Sequence, residues 1–94
     1  MITADLLAML KVDLGITANA YNDRLTEYLQ AASADMSREG VQLEDTVEDN
    51  QLIVQYAAWL WRSRESGDAM PRMLRYRLNN RIFSQKMRAA KENE

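Results

Sequence analysis

Two sets of side chains in this sequence are capable of chemistry. Four carboxylates, Glu44, Asp45, Glu48 and Asp49, crowd one short segment, and four arginines, Arg72, Arg75, Arg77 and Arg81, crowd another. Clustered carboxylates can ligate a divalent cation. A calcium loop, however, alternates its acids and then places a Gly, and this segment does neither. Thr46 followed by Asp49 resembles a capping box instead, and acids in a first turn suit the positive end of a helix dipole. Capping is the stronger reading. A carboxylate-based enzyme using Asp45, Glu48 or Asp49 is the weakest, because no nucleophile or metal partner accompanies them.

The chemistry that is missing narrows the field further. The chain has no His and no Cys, which removes disulfides, Cys/His zinc sites, the Cys nucleophile and every reaction with a His general base. No enzyme activity, cofactor or metal is therefore expected. No apolar run approaches the roughly 20 residues of a membrane span. The opening Met1-Ile2-Thr3-Ala4-Asp5 lacks the charged start and apolar stretch of a secretion signal, so a cytoplasmic address and no membrane partner are expected.

The elements that must hold these residues are helices. Gly 3 and Pro 1 in 94 residues are too few for a fold that turns often. Hydrophobic periodicity predicts an all-α, four-helix small domain with helices over about residues 4–14, 20–39, 47–66 and 70–88, and a frayed tail over about 89–94. Thr3 is the expected cap of the first helix and Gly15 its stop; Gly40 and Gly67 close the second and third. Residues 52–61 are apolar nearly all round, so the third helix should be central. Tyr56, Trp59 and Trp61 lie in it as core or interface aromatics. Positions two apart on a helix diverge by about 200°, so Trp59 and Trp61 cannot share one core. One should sit near a surface or interface, unless its indole lies under the fourth helix or a terminus.

The fourth helix carries two apolar stripes. Leu74, Leu78 and Ile82 form one, and Met73, Tyr76, Phe83 and Met87 form another on the opposite side. Between them run Arg72, Arg75, Asn79 and Lys86 on one flank and Arg77, Arg81 and Arg88 on the other. One stripe suffices for one core. Two suggest that the helix meets its own domain on one side and another chain on the other. Charge is just as unevenly divided. Residues 1–61 hold three basic side chains against ten acids, −7, and residues 62–94 hold nine against four, +5. A basic helix can meet nucleic acid phosphates, the acidic half of its own monomer, or the acidic half of a neighbour in a head-to-tail ring. A pI of about 5.1 and the lack of a base-reading motif count against a dedicated nucleic-acid binder.

Over nearly its whole length the chain resembles the small helical head–tail connector (adaptor) proteins of tailed bacteriophages and prophages. The residues concerned are Val12-Asp13-Leu14-Gly15, Asn22-Asp23-Arg24-Leu25 with Leu29-Gln30-Ala31-Ala32, and Met70-Pro71-Arg72-Met73-Leu74 with Leu78-Asn79-Asn80. The strongest match is the run from Asp49 to Leu60, through Leu52-Ile53-Val54 and Tyr56-Ala57-Ala58-Trp59, followed by Arg62 and Arg64. The resemblance implies a structural virion protein at the head–tail junction, present in the host cytoplasm during assembly. It implies a homo-oligomeric ring, a dodecamer in the virion, docked on the portal protein, meeting a stopper or tail-completion protein, and surrounding a channel for double-stranded DNA without reading its sequence. The expected subunit or portal contacts are Arg72, Arg75, Arg77 and Arg81 with Leu74, Leu78 and Ile82, or the opposite stripe. On that expectation, reversing Arg75 and Arg81 to Glu weakens ring assembly and leaves the monomer folded. The competing reading is a small nucleic-acid-binding packaging or regulatory module, with the same arginines on phosphates.

Overall fold

A computed structural model describes residues 3–92. It contains four helices, α1 (Ala4–Leu14), α2 (Asn22–Arg38), α3 (Val47–Ser63) and α4 (Arg72–Glu92), and no strand among the described residues. The fold is the all-α four-helix domain that the periodicity predicts. The boundaries differ most at the ends of α3 and α4. Helix α3 stops at Ser63 rather than near 66, and α4 begins at Arg72, with the Pro71 carbonyl accepting from the Arg75 N–H. Proline's fixed φ suits this position and its missing N–H costs nothing there. At the other end α4 runs to Glu92, so the expected frayed stretch 89–92 is helical; the last two residues of that expected tail lie outside the described residues.

Local chemistry explains where α1 starts and where α1 and α2 stop. The Thr3 hydroxyl accepts from the Leu6 N–H and caps α1. At its other end Gly15 takes φ +70°, its N–H reaches the Val12 carbonyl, and the Ile16 N–H reaches Lys11. The same closure ends α2. Gly40 sits at φ +108°, its N–H bonds Ser37, and the Val41 N–H bonds Met36. Both are Schellman closures, which need a left-handed residue just past the helix. The second is tightened by burial, since Val41 and Met36 both lie inside the core.

Helices α1, α2 and α3 pack mutually, and α4 packs on α3 alone. The core is built from Leu6 and Leu10 of α1, then Leu25, Leu29, Ala32 and Met36 of α2. From α3 come Leu52, Ile53, Val54, Tyr56, Ala57 and Ala58, and α4 adds only Leu74 and Leu78. As its all-round apolar sequence predicts, α3 is central. The molecule is elongated, 51 × 27 × 18 Å. Trp59 and Trp61 diverge and each is half-buried. The Trp59 indole N–H donates to the Asp68 carbonyl at 3.1 Å in the turn before α4. Trp61 instead lies edge-on to Tyr28 and Tyr21, with the Arg64 guanidinium over its ring. Neither ring is wholly committed to the core.

The α1 closure is testable. A Cβ at Gly15 meets no neighbouring atom, so any cost of Gly15→Ala comes from the left-handed backbone alone. Urea denaturation should show a loss of about 1–2 kcal/mol with an unchanged m-value.

Candidate functional site

The two clusters that open the sequence argument meet in space. Asp49 and Arg81, 32 residues apart, are both buried and form a two-pronged ion pair. The Arg81 Nε donates to one Asp49 carboxylate oxygen at 2.7 Å and Nη2 to the other at 3.0 Å. The spare valences are filled. Asp49 also accepts from the Glu44 N–H at 2.8 Å, and Arg81 also donates to the Gln42 carbonyl and the Gln85 side chain. Gln85 completes a clamp, accepting from the Gln42 N–H at 2.7 Å and donating to the Gly40 carbonyl at 2.9 Å. One turn of α4 thus grips the backbone of the α2–α3 loop and the first turn of α3.

This arrangement accounts for the acidic segment. The Thr46 hydroxyl accepts from the Asp49 N–H at 3.2 Å, which is half of a capping box. The reciprocal half is not made, because the Asp49 carboxylate is given to Glu44 and Arg81. Asp45 accepts from the Asn50 side chain, and Glu44 lies 3.9 Å from Arg88. No group of three or more metal-ligating side chains gathers among the described residues.

Burial by itself would raise the Asp49 carboxyl, but the hydrogen bonds from Arg81 and the Glu44 N–H, together with the Arg81 charge, hold it below the usual carboxylate range. The Arg81 guanidinium is correspondingly raised by its bond to Asp49, against the opposing effect of burial. A second, shallower network lies one and a half turns earlier on α4. Arg75 pairs with Glu39, which also accepts from the Tyr56 hydroxyl at 3.3 Å. Burial, followed by the Glu39 charge, pushes that hydroxyl up.

The expected contact residues therefore divide. Leu74 and Leu78 belong to the domain's own core, and Ile82 is partly buried against it. Arg81 is consumed inside the monomer, and Arg75 is half-buried on Glu39. Arg81 is the clear correction: its reversal to Glu would set two carboxylates together in a buried site, so it would unfold the domain rather than probe an interface. Arg72 and Arg77 are exposed and make no ion pair among the described residues. The opposite stripe is what α4 turns outward. Met73, Tyr76, Phe83 and Met87 are 65, 61, 63 and 56% exposed, on a helix whose other side is fastened to α3. Four large apolar side chains thus stand in one exposed row rather than scattered singly over the surface.

Removing one partner of the buried pair leaves the other charge unpaired. Asp49→Asn and Arg81→Ala should each cost about 3–5 kcal/mol by urea denaturation, whereas Arg72→Ala should change stability by less than about 0.5 kcal/mol. The acid response has a definite sign. Because the folded carboxyl is depressed, its stabilisation is complete above the unfolded value of about 3.9 and is lost as pH falls below it, through the folded value. Wild-type stability measured from pH 6 downward should therefore drop below about pH 4, and that part of the drop should be missing in Asp49→Asn.

Compared with protein-family models, curated proteins and solved structures, the chain matches none.

Proposed function

We propose that this protein is a structural connector of a tailed phage or prophage, assembling as a ring that joins the portal of the head to the tail around the DNA channel. The observation that carries the reading is the outward apolar row of α4, a face that one copy of the chain leaves uncovered. The sequence resemblance supplies the biological place, and the charge division supplies a reason for copies to attract. A domain of this size gains much from partners, because a small core leaves a thin stability margin. The lack of His and Cys chemistry agrees with a scaffolding role. In this reading the partners are further copies in a dodecameric ring, the portal protein, a stopper or tail-completion protein, and DNA passing through without sequence recognition.

A second reading has one observation in its favour. Arg72, Arg77, Lys86 and Lys91 are exposed on α4 and make no ion pair among the described residues, so they are free to meet phosphates. The apolar row between them favours protein over DNA, since duplex contacts are dominated by charge and polar groups.

Electron microscopy of the protein, alone at high concentration and mixed with portal assemblies from the phage or prophage that encodes it, separates the two. The connector predicts closed rings seated on the portal. No portal binding, together with micromolar binding to generic duplex DNA whose log–log salt slope steepens by about 0.9 per phosphate contact, would replace it with the nucleic-acid module.

A further inference from the structure

The exposed large apolar side chains are not scattered. Tyr21 lies against Trp61, and the others form two patches. One is the α4 row. The second is Met9 and Val12 on α1 with Val47 at the start of α3, where Val12 is 83% and Val47 75% exposed. These three are parts of one face. Met9 and Val12 line a cleft with Gln51 and Arg77, and Val47 lines an adjoining cleft with the same two residues.

The patches carry opposite charge. Around the α4 row stand Arg72, Arg77, Lys86 and Lys91, and no exposed carboxylate appears on α4 before Glu92. Around the second patch stand Asp5, Asp13 and Glu48, all exposed, with Asp13 3.6 Å from Arg62 and with Arg77 on the border that the two patches share, so carboxylates outnumber the arginine there. The row is also spaced as a helix-pairing seam. Met73, Tyr76, Asn80, Phe83 and Met87 alternate steps of three and four, which is the a/d pattern of a helix that packs against another element, with Asn80 as a polar register point.

Charge decides which partner fits. Pairing α4 with α4 of a second copy would set the basic flanks against each other. A two-fold contact that joined the two patches reciprocally would bring their shared border near the axis, where Arg77 would face its own mate. A one-way contact has no axis that forces Arg77 onto its own mate, and it sets the other basic side chains of the row, Arg72, Lys86 and Lys91, beside carboxylates.

We infer that the α4 seam of one copy packs on the α1–α3 acidic face of a second copy, in a head-to-tail contact that leaves one unused face at each end. This deepens the connector reading and rests on it only for the premise that copies of the chain meet. Neither stripe pairing nor ring closure requires the α4 inner stripe, which the core already uses.

Two variants test it. Phe83→Asp with Met87→Asp spoils the seam, and Val12→Lys with Val47→Lys spoils the acidic face. All four positions are exposed, so circular dichroism should show both proteins folded as wild type. Sedimentation velocity up to millimolar concentration should show wild type associating beyond a dimer. Each variant alone should associate at least about tenfold more weakly, since losing such contacts removes about 1.4 kcal/mol or more. An equimolar mixture should form a one-to-one dimer and nothing larger, because each variant retains the face the other has lost. A wild type that stays monomeric, or stops at a dimer, overturns the inference. So does a variant that associates like wild type, or a folded pair that fails to combine on mixing. Failure to bind the portal would leave the mixed dimer standing and sink only the connector reading; a missing mixed dimer with portal binding intact would sink only this contact.

Discussion

The buried Asp49–Arg81 pair is the constraint on which the placement of α4 depends. Among the helices α4 packs on α3 alone, and it contributes only Leu74 and Leu78 to the buried core. Burying two leucines is worth on the order of 1.5–3 kcal/mol each, against the entropy of ordering a helix of 21 residues. Two leucines also tolerate more than one rotation of a helix about its axis. A two-pronged guanidinium–carboxylate contact does not, because both nitrogens must meet both oxygens in one plane. Replacing the pair with apolar residues of similar size need not lower stability. What it would lose is a contact with one geometry.

That geometry has consequences on the far side of the helix. With Arg81, Leu74 and Leu78 held inward, helical periodicity sends Tyr76, Asn80 and Phe83 outward. The loop between α2 and α3 is fixed by the same group of atoms, through Gln42, Gly40 and Glu44. The acidic first turn of α3 and the basic α4 thus neutralise each other at one point in the interior. Arg72, Arg77, Lys86 and Lys91, which make no ion pair among the described residues, stand around the exposed α4 row.

Several details show how far one-dimensional pattern reaches. The Thr3 cap, the Gly15 and Gly40 closures and the central place of α3 all follow from neighbours in sequence, since each depends on backbone and side-chain groups within about a turn. The divergence of Trp59 and Trp61 follows from helix geometry alone. The α4 row was equally readable as a stripe, but not which of the two stripes would face the core. Gln85, Gln42 and Glu39 carried no signal, because the bonds by which they tie α4 to the end of α2 and the α2–α3 loop join residues 36 or more apart. The face made by Met9, Val12 and Val47 was invisible for a related reason: it joins two helices that are adjacent only after folding.

The sequence by itself thus determined the helices, their approximate limits, the all-α class and the division of charge, because these depend on short-range periodicity and composition. It also excluded chemistry that needs His or Cys. Tertiary structure alone decided the roles of the arginines. Arg77 and Arg81 stand four positions apart on one flank of α4, nearly alike in pattern, yet Arg81 is buried and Arg77 exposed. The difference is that packing α4 on α3 brings the Asp49 carboxylate within 2.7 Å of Arg81, and a charge can be buried only where its partner is waiting.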